Sequence, residues 1–301
     1  MDSDFSPVAD GVFVRRHERL HLNTGLVVGE DACLVVDTCE TLAQGIDLRT
    51  AIRRITDLPW VVVNTHGHHD HAFGNAAFTP CEIWGHPGCV TMLTRYGEVQ
   101  REVFHRAAVQ GSDLGLAAEL ADTPIVVPDR PVDAETTIDL GGRAVHLRHL
   151  GRGHTDNDLV VEVPGLAVFA GDLVEEGDPP AFADAFPLDW PDTVAGLLVL
   201  GDDVPVVPGH GAVVDRRFVA GQQSLLAAVS RIVRAAFTER AGPADAAGRL
   251  ASDLDLPTGA AEAAAERAYR QLRGEPAYPT PADIRARLGL GPDSTRGRRE
   301  G

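Results

Sequence analysis

The stretch Thr65-His66-Gly67-His68-His69-Asp70-His71 places four histidines and a carboxylate within six positions, directly behind the valine run Val61–Val63. Imidazole and carboxylate are ligand types suited to zinc, iron or manganese. If the valines form a buried strand, His66 and His68 leave its end on one face, because alternate strand residues point the same way. A following turn into helix brings Asp70 and His71 toward the same space from a second direction. That spacing suits two adjacent metal ions. A cluster of merely satisfied or exposed histidines is a poorer account of such density immediately after buried chain.

Further ligand-type residues recur at similar places. His154 follows a β-rich run in Gly151-Arg152-Gly153-His154-Thr155, Asp172 closes Val168-Phe169-Ala170-Gly171-Asp172, and His210 stands in Val207-Pro208-Gly209-His210-Gly211. Each alone is a weak signal. Together they repeat one theme, a polar ligand where a buried strand emerges.

The elements that must position these residues follow from hydrophobic periodicity. Short β runs at 11–16, 24–30 and 32–38 precede a helix over about Leu42–Ile55 and then the strand ending in Val63, an α/β (α+β) pattern. A polar, helix-compatible region spans Gly88–Ala121. Two hairpins are predicted, one turning at Gly141-Gly142 and one at Pro164-Gly165. Past Gly211 the pattern becomes helical, and Phe218, Leu225, Val229, Ile232 and Phe237 fall near a 3.6-residue period as a buried face. Thr280 reads as the N-cap of a last helix with Pro281 in its first turn. The division expected is a catalytic region over 1–214, a helical extension over 215–290 and a disordered tail over 291–301.

Composition narrows the function classes. The 301 residues carry 27 basic against 44 acidic side chains, a net charge of −17. Such a surface repels phosphate backbones and anionic lipid, which argues against nucleic acid as a partner and for a small-molecule substrate. No stretch has the apolar length of a membrane span, and the acidic opening Met1-Asp2-Ser3-Asp4 is unlike a secretory signal. Cys33, Cys39, Cys81 and Cys89 show neither C-x-x-C spacing nor framework density, so reduced core cysteines in a cytoplasmic protein are expected. Nothing in the chain indicates an oligomeric state.

The motifs resemble those of the metallo-β-lactamase fold superfamily, from about Gly11 to Val214. Asp37 in Val35-Val36-Asp37-Thr38-Cys39 matches the first motif, and His66, His68, Asp70 and His71 match the His-x-His-x-Asp-His signature. Gly153-His154-Thr155, Ala170-Gly171-Asp172 and Pro208-Gly209-His210-Gly211 match the remaining three. The resemblance implies a four-layer αββα sandwich with metals at one edge of two sheets, and the C-terminal helical extension read from the periodicity lies beyond it. Carried over, His66, His68 and His154 bind one metal, Asp70, His71 and His210 the other, and Asp172 bridges them. Asp37 then orients a ligand through a hydrogen bond, and His69 matches no ligand position. A carboxylate rather than a cysteine at the bridging position looks like the branch typified by glyoxalase II.

Two Zn²⁺ per chain are the implied cofactors, with iron or manganese as alternatives. The implied reaction is hydrolysis of an ester, thioester, lactone or lactam by a hydroxide formed on the metals, whose shared water has its pKa brought to ~7. Asp70 is the candidate for a catalytic proton acceptor. A single-iron persulfide dioxygenase would use a subset of the same ligands and is the redox alternative. A non-catalytic metal-binding module of the fold would be expected to have lost ligands, and all seven are present. Diiron oxygen-reducing relatives place Glu where this chain has His68. For substrate contact the loop from Leu173 to Trp190 stands out, since Phe182, Phe186 and Trp190 could cover an apolar acyl portion while Glu175, Glu176 and Asp178 disfavour strong anions.

Overall fold

Two mixed sheets lie face to face because their strands sort apolar side chains between the gap separating the sheets and the helices outside. The computed structural model describes residues 4–200 and 204–290, so the expected tail over 291–301 lies outside the described residues. Strands β1 (Ser6–Ala9), β2 (Val12–Arg16), β3 (Asn23–Val28) and β4 (Cys33–Val36) run antiparallel in sequence order. After helix α1 (Leu42–Ile52) the parallel strand β5 (Trp60–Val63) joins β4, and beyond the short helix α2 (His69–Ala72) β6 (Ile83–Gly85) adds in parallel. Helices α3 (Pro87–Gln110) and α4 (Leu114–Asp122) then lead to the edge strand β7 (Arg130–Pro131).

The second sheet contains β8 (Glu135–Asp139), β9 (Ala144–Arg148), β10 (Val160–Val163) and β11 (Ala167–Glu175) in antiparallel order. Past α5 (Trp190–Leu197), β12 (Val206–His210) lies parallel to β11 at the other edge. Both expected hairpins form at their glycines, Gly141 and Gly142 taking φ of 83° and 67°. A bridge between Leu22 and His210 ties β12 to the first sheet, closing the edge where the ligand-type residues emerge.

Alternation explains the layers. Leu34 and Val36 face inward onto Leu147, Val161 and Phe169, whereas Cys33 and Val35 face outward onto Leu48 and Ile52 of α1. Val160, Val168 and Ala170 face outward onto α5 and onto α6 (Arg216–Thr238), α7 (Pro243–Leu254) and α8 (Thr258–Leu272). The result is the αββα sandwich. Residues on both sides of Val214 share this last cluster, so the helical extension is welded to the second sheet by a common apolar core.

Two expectations shift. The buried face of α6 is Val219, Leu226, Val229, Ile232, Val233 and Ala236, while Phe218 and Phe237 stand 36% and 37% exposed. The stripe is rotated by about one residue because the helix meets α5, α7 and α8 at once, and the small Ala236 fits that crowded side where Phe237 does not. The Gly88–Ala121 region forms two helices. Its longer member, α3, receives the last helix α9 (Pro281–Leu288) on the cluster Met92, Tyr96 and Val99. Thr280 caps α9 as expected, its hydroxyl accepting from Asp283 N–H at 3.2 Å. Among the described residues the four cysteines form no disulfide and no helix is long and apolar enough to cross a membrane.

Candidate metal centre

Strand β5 delivers the ligand loop, and a polar frame locks it. Asn64 donates to the carbonyl of His71 and to Asn75 Oδ1 at 3.2 and 3.0 Å, and Thr38 N–H reaches the same His71 carbonyl at 2.8 Å. Gln100 on α3 clamps the loop from outside, donating to Gly67 O and accepting from His69 N–H, both at 3.1 Å. Asn157 Oδ1 accepts from Gly67 N–H at 2.9 Å.

The loop brings His66 and His68 together with His154, which follows β10's partner strand, and with Asp172 inside β11. Nδ1 of His68 lies 3.0 Å from Nε2 of His66 and 3.0 Å from Nε2 of His154. Asp172 Oδ2 stands 3.3 Å from His154 Nε2 and 3.7 Å from His66 Nε2. A second group forms beside it, with His71 Nε2 at 3.3 Å from His210 Nε2 and Asp70 Oδ2 at 3.4 Å from His210. Asp172 touches this group too, Oδ1 at 3.2 Å from His71 and Oδ2 at 3.4 Å from His210. All seven expected ligands therefore converge as two donor groups with Asp172 between them.

The donor set fits metal ions. Tetrahedral zinc with bonds of ~2.1 Å separates its ligand atoms by about 3.4 Å, close to the spacings here. Asp172 Oδ1 is buried without a hydrogen-bond partner, an arrangement costly for a carboxylate unless a cation meets it.

His71, His210 and His68 each offer one nitrogen inward because the other is held. Asp37 Oδ2 takes His71 Nδ1 at 2.8 Å while Asp37 also accepts from Thr65 N–H and Oγ1, both at 2.7 Å. Leu20 O holds His210 Nδ1 at 2.9 Å, and Asp184 Oδ2 holds His68 Nε2 at 2.9 Å. For these three the hydrogen-bonded partners fix which nitrogen faces the centre. Glu175 Oε1 lies 3.5 Å from His154 Nδ1 without a hydrogen bond.

Electrostatics follow the same plan. Burial opposes charge on Asp172, yet His71, His210, His154 and His66 hold its carboxyl well below the usual range. Burial likewise opposes ionisation of Asp184, and His68 brings it down to about 2. His68 and His210 are each pushed up to about 9, their carboxylate neighbours, Asp184 for the one and Asp172 for the other, outweighing burial. Burial keeps His154 down at about 4 and presses His66 well below the usual imidazole range, the latter reinforced by neighbouring His71.

Gly209 explains part of its motif. A Cβ there would lie 1.8 Å from Asp172 Oδ1, so only glycine lets the carboxylate cross β12. Gly171, just before Asp172, has φ of 54° and turns β11 to aim that side chain.

A profile of the metallo-beta-lactamase superfamily matches residues 18–216. The chain belongs to this superfamily. Metallo-beta-lactamase type 2 from Bacillus cereus is 29% identical over 124 residues, 39% of this chain and 48% of that protein. Its counterpart from Bacillus sp. (strain 170) is 26% identical over 180 residues, 58% of each. The chain thus spans about half the length of the curated relatives it matches. Among solved structures, the metallo-beta-lactamase from Pontibacter korlensis superposes with a TM-score of 0.57 at 21% identity, covering 74% of this chain and 97% of that one. A Pseudomonas aeruginosa metallo-beta-lactamase in its mono-zinc form gives 0.57 at 18% identity, covering 76% and 97%. At these identities the structural likeness concerns the fold.

The superfamily match ends where α6 begins, and beyond it the chain contributes more to the site than its local pattern suggests. A cavity of about 820 Å³ opens over the two donor groups, lined by α3, the loop after β11, α8 and α9. The loop aromatics do not line it. Phe182, Phe186 and Trp190 are buried, Phe182 edge-on to Trp190 at 5.6 Å and Trp190 donating to Leu173 O at 3.2 Å. They pack inward because β11 runs on to Glu175, which delays the loop and folds it back onto α5 and α8. The loop's acidic residues Glu175, Glu176 and Asp178 do line the cavity, Glu175 being itself largely buried beside His154. Asp184 and Arg267 carry no local signal in the chain. The guanidinium of Arg267 on α8 donates to Asp184 O, Ala185 O and Ala277 O at 2.6, 2.9 and 2.6 Å, fixing the segment that presents Asp184 to His68.

Proposed function

We propose that this protein is a dinuclear metal-dependent hydrolase acting on an ester, thioester, lactone or lactam. The observation that carries the reading is Asp172, whose two oxygens reach donors of both groups. One carboxylate shared between two cations offsets their mutual repulsion, a role a single-ion site would not require. Zinc, with iron or manganese as alternatives, suits the imidazole and carboxylate donors.

His66, His68, His154 and Asp172 would hold one ion and Asp70, His71 and His210 the other, with Asp172 reaching across. Such ions lower the pKa of a shared water toward neutrality and polarise an acyl oxygen. The chain's own part is orientation and proton transfer. Asp37, Asp184 and Leu20 O aim the imidazoles, and the cavity admits an acyl group above them. Asp70 lies at the cavity surface with Oδ1 3.3 Å from His69 Nδ1. It is held ionised by His71, His69 and His210 against the effect of burial. In this reading it takes the attacking water's proton and hands it to the leaving oxygen, sulfur or nitrogen as the acyl bond breaks.

Elemental analysis of protein purified without chelator, run beside a panel of esters, thioesters, lactones and lactams, tests the reading. Near two equivalents of metal and turnover of at least one class are expected. One equivalent of iron with no acyl hydrolysis would replace it with the single-iron persulfide dioxygenase reading.

A further inference from the structure

We propose that the wall of the cavity built by α3 and the C-terminal residues around α9 is a binding site for the hydrocarbon portion of the substrate's acyl group. The proposal deepens the hydrolase reading and rests on it for the word substrate, but the site itself is argued from the wall. On α3, Met92, Tyr96, Val99 and Val103 recur at helical spacing and form one stripe along the cavity. Tyr278 and Ile284 face them from the C-terminal side and belong to the same apolar cluster. The cavity floor is His68, Asp70, His154, Asp172 and His210, so an acyl carbon at the donors has its chain directed along this wall.

The wall is fixed in place. Tyr278 stands 5.9 Å from the Tyr96 ring and 6.3 Å from that of Phe186, and its hydroxyl accepts from Asp156 N–H at 3.4 Å. Arg285 of α9 pairs with Glu102 of α3 at 2.6 Å, and Arg106 donates to the carbonyl of Leu288. Arg267, the buried cation at this wall, places its guanidinium on three backbone carbonyls. Its donors are therefore committed to structure. The α3 stripe and the residues facing it are apolar, while Gln100, Glu266, Arg270 and Arg287 line the same cavity as polar groups. A volume near 820 Å³ lies within the ~300–1,000 Å³ of sites that enclose a small organic molecule.

The test separates binding from turnover. Calorimetry on the zinc-loaded protein follows N-methyl alkanamides from acetamide to decanamide, which are not hydrolysed on this timescale. The expected result is affinity rising about fourfold per methylene taken up by the wall. Val103→Ser and Ile284→Ser, on separate helices and each only partly buried, should flatten that rise. The p-nitrophenyl esters of the same chain lengths are assayed in parallel. Affinity independent of chain length overturns the site, as does a wild-type rise retained in both variants. Chain-dependent binding without turnover of any ester, thioester, lactone or lactam of the panel upholds the site and overturns the hydrolase reading instead.

Discussion

Asp37 offers the sharpest separation of metal chemistry from folding. Its carboxylate is buried and accepts three hydrogen bonds, two from Thr65 at 2.7 Å and one from His71 Nδ1 at 2.8 Å. Its backbone sits at φ of 61°, a conformation that Asp and Asn tolerate and most residues do not. Asp37→Ala would leave all three donors unmet and place alanine in the left-handed region, a combined cost of about 5 kcal/mol or more. That is comparable with the whole stability of a marginal domain, so this variant should give little folded protein. Asp37→Asn keeps size and backbone but can turn only one oxygen to the donors, leaving one or two unsatisfied at ~1–3 kcal/mol each. If the amide faces His71, the imidazole loses the partner that presents Nε2 to the centre. Affinity for the ion held by Asp70, His71 and His210 should then fall about ten- to a hundredfold, or ~1.4–2.8 kcal/mol. Competition with a chromophoric chelator, resolving the two equivalents, reads this directly. An Asn variant with a lowered melting temperature but wild-type affinity for both ions would refute the orienting role.

Gly209→Ala puts a methyl onto Asp172 Oδ1 and should abolish the shared carboxylate position, leaving one tight metal equivalent by elemental analysis in a folded protein. Asp184→Asn removes the charge that holds His68 Nε2, and chelator competition should show about a ten- to a hundredfold weaker ion at the His66, His68 and His154 group. Phe182→Ala empties a buried site and should cost ~3–5 kcal/mol in denaturant unfolding while leaving chain-length selectivity unaltered. His86 caps α3, its Nδ1 accepting from Gly88 N–H at 3.0 Å, and burial followed by neighbouring His149 depresses it to about 4. The unfolded chain takes up this proton first, near pH 6.5, so the stability present above that pH is lost as pH falls toward 4. His86→Asn retains a cap and should flatten that part of the melting-temperature profile; an identical acid slope would show that the loss arises elsewhere.

The candidate ligands are legible in the chain because each stands at the end of, or within, an apolar run whose β character is local. His66 and His68 need only the two-residue period of β5, and Asp172 only the glycine that turns β11. Asp37 is readable for the same reason, one residue beyond the valines of β4. The cavity is not readable in this way, since it depends on how distant segments meet. Arg106 and Leu288, 182 residues apart, are joined by one hydrogen bond across the α3–α9 contact, and no periodicity announces that pairing. Phe182 and Phe186 stand near a ligand in sequence, and their position alone suggests substrate contact. Large aromatics, however, remove the most apolar surface from water by packing into the core, and α8 lies close enough to receive them. Met92 and Val99 line the cavity while themselves buried, and the half-buried Val103 continues their stripe. What the C-terminal helices supply is therefore a wall and a clamp: Tyr278 and Ile284 face the space over the two donor groups, while Arg267 holds the loop that fixes His68.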